Sequence, residues 1–93
     1  MASFTVRVEL HSANFDDYNV LHEAMESAGF SRQITSDDGI TYHLPWAEYN
    51  MEGSLTPTQV RQAAHRAAQQ TGRNFAVLVT EASRRAWSGL TTV

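Results

Sequence analysis

Two runs of strict alternation stand near the ends of this chain, Phe4-Thr5-Val6-Arg7-Val8-Glu9-Leu10 and Phe75-Ala76-Val77-Leu78-Val79-Thr80, with two helical patterns between them. Alternation at period two belongs to a strand with one buried face, whereas apolar residues recurring every three or four positions belong to a helix packed along one side. The order of these patterns limits the architectures open to the chain more than any single residue does.

The first strand carries Phe4, Val6, Val8 and Leu10 on one face and Thr5, Arg7 and Glu9 on the other, with His11 at its carboxyl end. Asn14 suits the N-cap of the following helix, where Asp16 and Asp17 in the first turn favour the helix dipole. Tyr18, Leu21, Met25 and Ala28 recur at helical spacing and are expected to face the sheet. Gly29 reads as the left-handed terminator, and Phe30 as the apolar contact that closes the motif. Residues 31–35 then predict a short strand, Ser36-Asp37-Asp38-Gly39 a turn that uses positive φ at glycine, and Ile40 to Leu44 the returning strand. Pro45 cannot donate to a ladder, so the chain should bend, bulge or lie at an edge before Glu48-Tyr49-Asn50-Met51.

The second helix has Thr56 at its N-cap, Pro57 at the first helical position, Gln59 as the capping-box partner and Gly72 just beyond its end. Val60, Ala63, Ala64, Ala67 and Ala68 form its inner face, and side chains this small imply a close approach to the sheet. The last strand, from Asn74 to Thr80, is fairly apolar on both faces, which predicts a central position. This succession predicts an α+β, ferredoxin-like βαββαβ sandwich, with two helices on one face of an antiparallel sheet. Residues 83–93, with Trp87 and Leu90, are too apolar for a frayed end and can add a further strand to their own sheet or a partner's.

A chain of 93 residues supports one core, and we read residues 1–93 as a single domain. Its composition, 42% hydrophobic and 18% charged, is that of a folded globule. The absence of cysteine excludes a disulfide framework, a thiolate metal site and a Cys nucleophile. Neither a basic leader nor a run of about 20 apolar residues is present, which predicts a cytoplasmic protein with no membrane association.

The net charge of −3 is unevenly distributed: residues 1–53 hold two arginines against nine acids, and residues 54–93 hold five arginines against Glu81 alone. Arg61, His65, Arg66 and Arg73 therefore form the best candidate surface for phosphate, joined by Arg85 if the second helix and the tail lie together. The same charges also fit two helices with ordinary solvated faces. His22 and Glu26 are one turn apart but lack the second histidine of a zinc-protease pattern, so no metal site is predicted. Glu9, or Asp16 with Asp17, could offer oxygen to a divalent cation, but adjacent carboxylates on a helix diverge and serve better as a helix start. The aromatic run Tyr42 to Tyr49 can stack bases, or serve as core or interface. No phosphate loop or nucleophile elbow occurs, and motifs alone leave enzyme status open.

Five segments together resemble the GhoS family, the small antitoxin endoribonucleases of type V toxin–antitoxin modules. They are Phe4 to Leu10, Ala28-Gly29-Phe30-Ser31, Asp37-Asp38-Gly39-Ile40, Gly53-Ser54-Leu55-Thr56 and Phe75 to Thr80, spanning roughly residues 4–81. The resemblance implies a ferredoxin-like fold and cleavage of single-stranded RNA, the messenger of a membrane-active toxin, without a small-molecule cofactor. On that reading His22 or His11 moves the proton, with Arg66 or Arg85 holding the phosphate. The first helix departs from the family, having His22, followed by Glu23 and Glu26, where arginine would be expected to face RNA. The alternative is a non-catalytic ferredoxin-like module that pairs with itself or another protein through its open sheet face and aromatic tail. A homodimer is expected on either reading.

Overall fold

The computed structural model describes residues 1–93. Its elements run β1 (Ala2–Leu10), α1 (Phe15–Ser27), β2 (Gln33–Thr35), β3 (Thr41–His43), β4 (Glu48–Gly53), α2 (Pro57–Gln69) and β5 (Phe75–Ala82). An antiparallel three-stranded sheet has the order β4-β1-β5, and β2 and β3 form a separate two-stranded hairpin. The fold is thus α+β, with two helices and strands divided three and two. No helix is long and apolar enough to cross a membrane.

The central strand β1 pairs on both sides. Ala2 to Arg7 face Gly53 to Glu48 of β4, and Ser3 to Leu10 face Ala82 to Phe75 of β5. Alternation then does what the sequence implies: Phe4, Val6, Val8 and Leu10 are buried, and Arg7 and Glu9 are exposed. Leu21, Ala24 and Met25 of α1 and Val60, Ala64, Ala67 and Ala68 of α2 join the same apolar cluster. Both helices therefore cover one face of the sheet.

Helix boundaries follow their local chemistry. Asn14 caps α1 by accepting from Asp17 N–H, and Asp17 Oδ2 accepts from Asn14 N–H, both at 3.0 Å. Thr56 and Gln59 make the same reciprocal pair at the start of α2, with Pro57 in the first turn. Such a cap contributes about 1 kcal/mol. Gly29 takes φ 94° directly after α1, a conformation that costs little only without a side chain. Phe30 N–H then donates to Met25 O at 3.0 Å, and the Phe30 ring is buried.

Three expectations need correction. First, β5 is an edge strand, paired only with β1. Its outer edge has no strand partner, and Leu78, on the sheet face away from the helices, is 64% exposed. Second, the strand expected at Ile40–Leu44 shortens to β3 and belongs to the small hairpin; the chain joins the main sheet only after a turn. Pro45 causes this break: it lacks a donor, its carbonyl accepts from Glu48 N–H to close the turn, and Ala47 O accepts from Val8 N–H. Third, residues 31–35 do not pair along the main sheet: β2 is confined to Gln33–Thr35 in the small hairpin, and the only backbone bridge to the sheet is from Ser31 to Asn50 on the outer edge of β4.

The tail pairs within its own molecule. Thr92 bridges Tyr42, His43 N–H donates to Thr91 O at 2.8 Å, and Val93 N–H donates to Thr41 O at 3.0 Å. Trp87 meets the Tyr42 ring edge-on, with centroids 5.5 Å apart. Residues 85–90 pass over Thr5 and Asn50, covering part of the sheet face away from the helices and enclosing a space of about 420 Å³.

Leu21 is fully buried where α1 meets the sheet. We expect Leu21→Ala to lower stability by about 2–5 kcal/mol, read as a shift in urea midpoint with unchanged slope. A loss below 0.5 kcal/mol would show that α1 does not pack as described.

Candidate nucleic-acid interface

α2 and the start of β5 build a basic concavity. Arg61 and His65, one helical turn apart, line one wall; Arg73 and Asn74 lead into β5; Phe75 and Val77 form the apolar floor, and the cleft holds about 360 Å³. His65 meets Phe75 edge-on, centroids 4.9 Å apart. Arg73 donates from Nε to Asp17 Oδ2 at 2.9 Å, which ties the loop before β5 to the first turn of α1. Its terminal nitrogens make no hydrogen bond and remain available to a phosphate.

This arrangement brings together Arg61, His65 and Arg73 of the expected RNA surface but not the other two residues. Arg66 is exposed on the next strip of α2, outside the cleft. Arg85 is on the opposite side of the sheet, beneath the tail, where it lines the cavity shared by Thr5, Asn50 and Trp87. Burial lowers the pKa of its guanidinium, an effect that nearby Glu52 partly offsets.

The expected catalytic residues are also separated. His11 is exposed at the end of β1, with Nε2 3.7 Å from Glu9 Oε1. His22, 4% exposed, faces inward from α1 and binds the Tyr49 hydroxyl through Nδ1 at 2.6 Å. Trp46 closes over it edge-on at 4.7 Å, stacks on Phe15 at 5.4 Å and carries the Arg32 guanidinium 5.3 Å above its ring. Burial, and to a lesser extent Arg32, pushes the His22 pKa down to about 4, while burial raises that of Tyr49. No hydrogen bond or ion pair links His22, His11 and Arg66.

The aromatic run between 42 and 49 makes contacts within the molecule: Tyr42, half-buried, against Trp87, Trp46 against α1 with 43% of its surface still exposed, and Tyr49 in the core. Glu9 is shared between Arg7 at 3.8 Å and His11, and no three His, Asp or Glu side chains converge as a metal site would require. Sequence reasoning missed the pairing of His22 with Tyr49. The signal was present, since 18, 21, 22 and 25 form one helical stripe, with His22 inside it.

His22 makes stability depend on pH in a defined direction. Its pKa is lowered from 6.5, so the unfolded chain binds the proton first and stability falls as pH drops from about 6.5 towards 4. The loss over that window is about 3 kcal/mol. From pH 7 to pH 4.5 the urea midpoint of the wild type should fall relative to that of His22→Phe; a difference that does not change with pH would contradict the buried neutral imidazole.

No family model matches the chain, and no curated protein sequence matches it.

Proposed function

We propose that this chain is a GhoS-like antitoxin, a ferredoxin-like endoribonuclease acting on single-stranded RNA, the message of a toxin. The observation that carries this reading is the cleft of Arg61, His65, Arg73 and Asn74 beside Phe75, which offers two cations, a proton carrier and an aromatic edge within one concavity. The order β4-β1-β5, with Ser31 bridging the far edge of β4, supports the ferredoxin-like part of the proposal.

In this mechanism the backbone phosphate binds Arg61 and the free nitrogens of Arg73, and a base lies along Phe75. His65 takes the proton of the 2′-hydroxyl as its oxygen attacks the adjacent phosphorus. The new O2′–P bond forms as the P–O5′ bond breaks, and water protonates the departing oxygen. The arginines offset the charge that accumulates on the phosphoryl oxygens. His65 replaces His22 in this role because the His22 imidazole is enclosed by Tyr49 and Trp46. The reading implies a cytoplasmic protein with no resident cofactor.

A second reading, a non-catalytic pairing module, draws on the free edge of β5 and exposed Leu78. Incubation with a pool of labelled single-stranded RNAs, with and without EDTA, separates the two. We expect EDTA-resistant cleavage that falls at least about 100-fold in His65→Ala and is nearly unchanged in His22→Gln. Cleavage by His65→Ala at the wild-type rate would remove the cleft from the mechanism. Folded protein that cleaves nothing under either condition would favour the pairing module.

A further inference from the structure

The free edge of β5 has the properties of a pairing surface. His11 N–H donates to Asn74 O at 2.8 Å, and the register continues unbroken from Leu10–Phe75 to Ser3–Ala82. In an antiparallel ladder, opposed residues alternate between hydrogen-bonded and non-hydrogen-bonded pairs. Asn74, Ala76, Leu78, Thr80 and Ala82 therefore turn their backbone groups towards β1, whereas Phe75, Val77, Val79 and Glu81 turn theirs outward. This edge contains no proline, no lysine and a single charge, Glu81, so it lacks the usual protections against strand addition.

We propose that this edge pairs antiparallel with β5 of a second copy about a two-fold axis at Val77, carrying the partner's Glu81 into the basic cleft. Charge complementarity selects a second copy as the occupant, and direct opposition of Glu81 to Arg73 favours one register. With the axis at Val77, Phe75 faces the partner's Val79, Leu78 faces the partner's Ala76, and Arg73 faces the partner's Glu81. Glu81 is opposite Phe4, hence on the helix side of the sheet, as is the cleft of Arg61, His65 and Arg73. The sole acid among residues 54–93 thus meets the densest group of bases, and it does so twice by symmetry. An axis at Val79 would set Glu81 against the partner's Val77, and one at Leu78 would set it against the partner's Phe75, placing the carboxylate over the apolar floor of the cleft and out of direct opposition to Arg73. The Val77 register gives about six interstrand hydrogen bonds and extends the sheet through both copies. It also covers the surface offered to phosphate, so pairing and RNA binding exclude one another; that last step rests on the RNA reading above, whereas the pairing does not.

The chain has no cysteine, so single cysteines report the register directly. Val77→Cys would bring two thiols together across the axis at a Cα separation near 5.5 Å, within disulfide range. Thr80→Cys would leave them about 20 Å apart. Under mild oxidation without RNA we expect Val77→Cys to give a covalent dimer and Thr80→Cys to form no crosslink, at circular dichroism matching wild type. As a check without a core substitution, Glu81→Arg should raise the dimer dissociation constant at least tenfold in sedimentation. Failure of Val77→Cys to crosslink, equal crosslinking at position 80, or a Glu81→Arg dimer as tight as wild type would overturn the register. Excess single-stranded RNA should suppress the Val77→Cys crosslink; undiminished crosslinking in protein that binds the RNA would overturn exclusion. Protein that binds no RNA would defeat the functional reading while the crosslink still decides the interface.

Discussion

Everything in this molecule depends on the double pairing of β1. It is the central strand of the main sheet, the one with a β-strand on each side, and its Phe4, Val6, Val8 and Leu10 are the surface on which both helices rest. A one-residue slip against either neighbour would turn those four side chains to the solvent face. The antiparallel register is therefore held from two directions, by β4 and β5 along the ladder and by the helices across the sheet. α2 answers with Ala64, Ala67 and Ala68, which let its backbone come close to the sheet.

What local rules govern was legible in the sequence. Asn14, Gly29 and the Thr56-Pro57-Thr58-Gln59 start act within a few residues, and each sets a helix boundary where its chemistry requires. What depends on distant neighbours was not legible. Val77 and Leu78 lie on opposite faces, and their shared apolarity could not tell a strand enclosed on both edges from one left open. Pro45 announced a break, but whether the next segment joined the small hairpin or the main sheet depended on Val8 reaching Ala47. The cleft is a still longer-range product: Arg73 is steered by Asp17, 56 positions earlier. The division of basic residues along the chain located Arg61, His65 and Arg73 as a group but could not show that Arg85 is on the other side of the sheet.

The histidines show how burial sorts residues of one type. His22 is enclosed by aromatic rings and bonded to a hydroxyl, an environment that stabilises the neutral ring and fixes the side chain. His65 rests on a ring edge at the rim of a cleft, with arginines nearby and solvent in front. The first arrangement secures α1 to β4; the second leaves the imidazole open to solvent. In the same way, one face of the sheet is filled by helices while the other is only partly crossed by the tail, so the two sides carry different burdens.

The pairing of Ser3 with Ala82 has a consequence in time. The first strand is made before either partner: residues 48–53 follow about midway through the domain and residues 75–82 only near its end. Until then Phe4, Val6 and Val8 have no sheet to join, and the loop that must close is nearly the length of the domain. High contact order of this kind slows folding and prolongs exposure of an aggregation-prone strand. Arg7 and Glu9, alternating with those apolar residues, keep the waiting strand charged on one side, so it is the solvent face of β1 that protects the core strand before the core exists.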